Sequence, residues 1–270
     1  MPDKPVEKEM SFLDHLEELR WHLVRSAIVV MVLMVVLFVY KDFVFDTIIL
    51  GPKNPNFITY RWFCQLGEWL NAKDSLCFGQ IPMKLISTNM SGQFTTHVWV
   101  SFIGGLIVAF PYVFWEIWRF VKPGLYEKER GYTRGIVFYA SILFAAGVAF
   151  GYYLIAPLSV SFLGGYQVSA EVLNTIDLNS YISTVTTLTL ATGATFEMPI
   201  IIYFLTKIGF VGPTFLRTYR KHAIVVILII AAIITPPDVI SQLIVTFPLM
   251  LLYEISILIS ARVERRSISK

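Results

Sequence analysis

Apolar runs of roughly bilayer length recur along this chain. A run of that kind can satisfy its backbone in lipid only as a helix or as part of a closed barrel. The first covers about Leu23 to Tyr40, the second about Thr95 to Phe120, and the third about Gly135 to Ala156. A fourth covers about Tyr181 to Leu205, a shorter fifth Ala223 to Ile234, and a sixth about Leu243 to Ala261. A hydrocarbon core of about 30 Å needs about 20 such residues per straight helix. The 270 residues are 56% hydrophobic and only 15% charged, which excludes an ordinary soluble domain with about a quarter of its residues charged. The fold class predicted is all-α: one polytopic membrane domain over residues 1–270, with helices near 23–40, 95–120, 135–156, 181–205, 222–235 and 242–261.

Charge location sets the orientation. Lys and Arg gather before the first run and between the second and third. They gather again between the fourth and fifth and after the sixth, but none lies between Pro157 and Ser180 or between Thr235 and Gln242. The positive-inside rule then places both termini in the cytoplasm, which requires an even number of spans. Six satisfies it. Residues 1–22 become a cytoplasmic amphipathic helix, with Phe12, Leu16, Leu19 and Leu23 at helical spacing and Ser11 with Asp14 as its cap. A cleavable signal peptide is not expected, because the first apolar run is long and follows an acidic helix. Residues 41–93 form an outside loop holding both cysteines, Cys64 and Cys77, and in an oxidising compartment these two are a plausible disulfide.

Several polar residues fall where lipid is expected. Glu197, midway along the fourth run, carries a cost of about 3 kcal/mol at such depth and is expected to face inward and to serve function rather than packing alone. A threonine ladder runs beside it, and Pro199 two residues on predicts a kink. Pro111 and Pro248 predict breaks in the second and sixth runs. Glu116 is expected to make a local ion pair with Arg119 three residues along. The fifth run rises only about 18 Å and ends at Pro236-Pro237-Asp238, which predicts a dip or a thinned bilayer there. Enzyme signatures are missing: there is no HExxH, CxxC, GxSxG or glycine-rich phosphate loop. His15, His22, His97 and His222 are too dispersed to suggest a metal set, and nothing points to a cofactor or to nucleic acid.

Four patches, spread from end to end, resemble the TatC family of twin-arginine translocase subunits. They are "HLEELRWHL", "PYVFWEIWRFVKPGLYEKERG", "FEMP" and "ITPPDVISQLIVTFPLMLLYEI". Trp21-His22 stands where many members carry a second arginine in the first patch. The resemblance implies a glove-shaped six-helix bundle in the cell inner membrane. It implies a partnership with single-span subunits of the TatA/TatB type, in an oligomeric complex that moves folded precursors. It further implies that Glu18 and Glu129 hold the two arginines of a signal peptide, with Arg20 and Arg130 orienting them. Glu197, Asp238, Pro52 and Phe120 match positions tied to transport or partner binding. A guanidinium pairs bidentately with carboxylate in a way lysine does not reproduce. The competing readings are a proton- or ion-coupled secondary transporter using Glu197, an intramembrane enzyme and a passive scaffold. The transporter is disfavoured because the two halves show no inverted repeat.

Overall fold

The structure, a computed structural model, describes residues 12–69, 77, 84–121, 133–169, 171, 174–237 and 239–268. The chain enters as one helix, α1 (Phe12–Val39). The expected amphipathic helix and first span are therefore continuous, since no Gly or Pro between them offers a place to stop. A π-helical turn at Phe43–Ile49 and a 3-10 turn at Gly51–Lys53 follow, and then α2 (Ile58–Trp69). After β1 (Lys84–Ile86) comes α3 (Gly92–Val121), which runs unbroken through Pro111. Pro248 likewise lies within α10 (Val239–Ile268). Both expected breaks are absent. A helix in lipid has no water to take over its backbone groups, so losing one N–H does not release the next turn.

The third span is longer than expected. It joins α4 (Thr133–Phe150), a π-helical turn at Gly151–Ile155 and α5 (Ala156–Gly165). Pro157 falls in the first turn of α5, where its missing N–H costs little. The fourth is α6 (Leu178–Phe196) followed by α7 (Met198–Lys207); where Pro199 predicted a kink, the helix is interrupted at Glu197. Next come α8 (Pro213–Thr218) and α9 (Arg220–Ile234). Five helical stretches are long and apolar enough to cross a membrane among the described residues: His15–Val39, Gly92–Val121, Gly135–Gly165, Leu178–Lys207 and Ser241–Arg265. With 15 residues, α9 falls short of that length.

One element departs from an all-α reading. β2 (Thr175–Asp177) pairs in parallel with β1, Lys84 opposite Thr175 and Ile86 opposite Asp177. Two strands of three residues leave too little alternation to be read from sequence. They fasten the 41–93 loop to the start of α6. Asp177 caps that helix, its Oδ1 accepting from the N–H groups of Asn179 (2.9 Å) and Ser180 (3.4 Å), while Oδ2 accepts from the Thr88 hydroxyl at 2.8 Å. These bonds favour the ionised form and hold the Asp177 carboxyl below the usual carboxylate range.

Packing follows the logic of a solvent that is itself apolar. α1 lies along α3, α4 along α6, and α7 along α10. Ser101, Ser159, Thr192, Ser256 and Ser260 are buried, whereas Ile28, Val32, Val35, Val39, Val225 and Ile233 face outward. A side chain at Gly105 would come within 2.9 Å of the Met34 backbone nitrogen and 3.0 Å of the Val30 carbonyl oxygen. α1 and α3 approach this closely because Gly105 has no Cβ. Cys64 and Cys77 are joined as a disulfide across a Cα separation of 4.4 Å.

Candidate functional site

α1 and α3 run antiparallel, so the start of α1 meets the end of α3. His15, Glu18 and His22 recur at three- and four-residue spacing on α1, and Tyr112, Glu116, Arg119 and Phe120 do so on α3. The two faces meet. His22 Nδ1 bonds directly to Oε2 of Glu116, which is 1% exposed and also accepts from the Tyr112 hydroxyl at 3.0 Å. Arg119 stays 3.9 Å from Glu116 and stacks over Trp115 at 4.9 Å. The local Glu116–Arg119 pair expected from sequence is therefore a secondary contact. The main partner is a histidine 94 residues away, brought in by helix packing.

His22 also turns its second nitrogen toward Glu18, Nε2 to Oε1 at 3.9 Å. The imidazole thus lies between two carboxylates, one buried and one at the rim. Glu18 Oε2 has no hydrogen-bond partner among the described residues. Arg20, expected to orient Glu18, instead pairs with Glu17 at 3.3 Å on the exposed side of α1, and its guanidinium lies 5.7 Å from the Trp21 ring. The reason is helical phase: Arg20 is two residues from Glu18, so the two point in different directions. Phe120 is half-buried and stacks on His15 with ring centroids 4.4 Å apart. The result is an acidic, aromatic-lined corner with one buried carboxylate oxygen left unpaired among the described residues. Glu129 and Arg130, the other half of the expected site, lie outside the described residues, as do Ser11 of the expected cap and Asp238. The Asp14 side chain is also not described.

Glu197 occupies a second polar position. It ends α6 and begins α7 with φ −74° and ψ −5°, its carbonyl accepting from Ile200 and Ile201. Its side chain is buried, and neither carboxylate oxygen has a hydrogen-bond partner among the described residues. The threonine ladder does not serve it. Thr184, Thr186, Thr189, Thr192 and Thr195 each return their hydroxyl to the carbonyl four residues earlier. Glu254, which sequence left unassigned, pairs bidentately with Arg220 at 2.8 and 2.9 Å and ties α10 to the start of α9. Pro52 is fully buried in its 3-10 turn, where its carbonyl accepts from the Tyr60 hydroxyl at 2.7 Å. Burial raises the pKa of that phenol.

Sequence reasoning missed the His22–Glu116 pair, although a signal was present. Each is a polar residue that burial obliges to find a partner, and neither has a sufficient one on its own helix.

Fold and site together define a multi-helix membrane protein that carries an acidic, aromatic corner where α1 meets α3 and, at a helix break, a buried carboxylate unpaired among the described residues. The family model for "Sec-independent protein translocase protein (TatC)" matches residues 14–248. A Sec-independent protein translocase protein TatC of Blattabacterium is 42% identical over 264 residues, covering 97% of this chain and 99% of the relative. TatCy of Bacillus subtilis is 36% identical over 259 residues, covering 96% and 92%. A crystal structure described as the twin arginine translocase receptor TatC in the detergent DDM superposes with a TM-score of 0.69. That receptor is 31% identical, and the match covers 91% of this chain and 99% of the solved one. The chain belongs to the TatC family. It is a protein translocase subunit of the membrane and not an enzyme.

Proposed function

We propose that this subunit reads twin-arginine signal peptides and that Glu18 holds one of the two guanidinium groups, with Glu129 holding the other. The buried Oε2 of Glu18 carries this reading, because a carboxylate oxygen that is out of solvent and has no partner among the described residues is stabilised by an incoming N–H donor. The neighbouring Arg20 is already engaged by Glu17 and does not compete for it. His15 stacked on Phe120 gives the corner a flat aromatic surface against which side chains flanking the arginine pair would rest. Solved relatives similar to this chain are described as twin arginine translocase receptors, which agrees with the assignment.

The wider reading has six spans, with α9 as the short one and both termini in the cytoplasm of a bacterial inner membrane. Single-span subunits of the TatA/TatB type are the partners. Glu197, with both oxygens unpartnered among the described residues, is where a polar side chain of such a partner would bond. Asp238, Pro52 and Phe120 belong to the same transport function.

Binding of a synthetic twin-arginine peptide to the detergent-solubilised chain is the direct test. Glu18→Ala and Glu129→Ala are each expected to weaken binding by about 1.5–3 kcal/mol, the net value of one hydrogen bond to a charged group. The double variant weakens it further. A twin-lysine peptide binds the parent poorly because its ammonium groups lack the planar fork. Unchanged affinity in both single variants would refute the assignment.

A further inference from the structure

α2 divides its circumference into three sectors, and one of them is apolar yet exposed among the described residues. Thr59, Tyr60 and Gly67 face the bundle and are buried. The Thr59 hydroxyl bonds to the Tyr153 carbonyl, and the Tyr60 hydroxyl reaches the carbonyls of Pro52 (2.7 Å) and Pro157 (3.0 Å). Arg61, Gln65 and Glu68 form a polar, exposed edge. The remaining sector holds Ile58, Trp62, Leu66 and Trp69, within about 80° of one another at 3.6 residues per turn. They are exposed by 60%, 75%, 45% and 81%.

We infer that this sector of α2 is embedded in lipid at the membrane–water boundary, where α1 leaves the bilayer. Three observations specify lipid as the occupant. The stripe adjoins the bundle-facing sector, and its leading end is continuous with a membrane-facing surface. Phe57, the residue before Ile58, stacks on Tyr153 at 5.9 Å, and Tyr153 is exposed within the Gly135–Gly165 span. The polar edge lies on the far side of the stripe, as it must if one flank of the helix meets water, another meets lipid and the third meets protein. Two of the four stripe residues are tryptophans, whose amphipathic rings settle at the headgroup level. The hydrogen bonds to Pro52 and Pro157, with the Cys64–Cys77 disulfide, fix the rotation of α2 so that the stripe cannot turn inward. The 41–93 segment thus acts as an interfacial float as well as a loop.

The test reconstitutes the full chain and a Trp62→Phe/Trp69→Phe variant in bilayers whose lipids carry bromine either near the headgroup or near the chain end. The difference in tryptophan quenching between the two proteins isolates these two rings and needs only two surface substitutions. Insertion by about 5–10 Å predicts headgroup-side bromine quenching that difference signal about twofold or more above chain-end bromine. Quenching of the same signal by aqueous acrylamide, with none from either lipid, would show a water-exposed stripe and overturn the inference. Protection from both quenchers would show a second copy or a partner protein on the stripe and overturn it equally.

Discussion

His22 and Glu116 show how a single pair can hold two helices together, the start of α1 against the end of α3. Glu116 is buried, so the loss of its main donor leaves a charge in a poor solvent, with only Tyr112 and the more distant Arg119 to answer it. Breaking a buried pair from one side costs about 3–5 kcal/mol. The two remaining partners put His22→Ala at the lower end, near 3 kcal/mol by the same principle. Glu116→Gln keeps the hydrogen bonds to His22 and Tyr112 and is expected to cost about 1 kcal/mol. The double variant then falls well short of the sum, since no charge is left stranded. Thermal midpoints of the four proteins in one detergent give the coupling, and strict additivity would mean that the pair does not act as a unit. Sequence made this corner half legible. Glu18 and Phe120 were read by resemblance, whereas Glu116 was read as a local pair because a helix shows its neighbours at three and four residues and conceals those across an interface.

At the level of elements, close approach and capping matter more than propensity. α1 and α3 meet where Gly105 would place a Cβ against the Met34 nitrogen and Val30 oxygen, both backbone atoms with no freedom to move aside. Gly105→Leu is therefore expected to cost about 1–3 kcal/mol through overpacking, measured as a lower thermal midpoint of the purified protein. The peptide site proposed at Glu18 lies on the same helix pair, so peptide affinity is expected to drop as well. An unchanged midpoint would mean that α1 is free to shift. The β1–β2 clip gives a pH signature. Asp177 is held below the usual carboxylate range by the Thr88 hydroxyl and by the N–H groups that it caps. A lowered folded value means that its stabilisation is complete at neutral pH, above the unfolded value, and is lost as pH falls through the folded one. Asp177→Asn should start with a lower midpoint at neutral pH and then decline less on acidification than the parent. Parallel acid profiles would remove Asp177 from that role. The clip itself was invisible in the sequence, as were the extension of the third span past Pro157 and the continuity of α3 and α10 through their prolines. In the helical cases the helix is kept by the absence of water to compete for its backbone groups, a property of the solvent that residue preferences do not carry.

For the whole molecule, the parity of spans is the decisive quantity. Among the described residues five stretches meet the length requirement, and α9 rises only about 22 Å. Counting α9 as a span puts the start of α1 and the end of α10 on the same side, and leaving it out puts them on opposite sides. Single cysteines at Glu17 and Glu264, in a chain whose own cysteines are paired, separate the two. Under six spans neither reacts with an impermeant thiol reagent in intact cells, and both react after permeabilisation. Labelling of only one in intact cells would reject the six-span reading. Composition and periodicity were enough to establish a helical membrane protein, the approximate positions of its apolar runs and the helix break beside Pro199. Four distributed patches were enough to point to the family. These are local properties, written in the order and polarity of neighbouring residues. The meeting of distant polar groups is instead a matter of packing: Glu116 with His22 more closely than with Arg119, Arg220 with Glu254, β1 with β2, and Glu197 with no partner among the described residues. In a bilayer every helix is apolar and the hydrophobic effect does not choose between neighbours, so close packing and the pairing of scarce polar groups make that choice. Most of those contacts join residues tens of positions apart in the chain, beyond the reach of any local pattern.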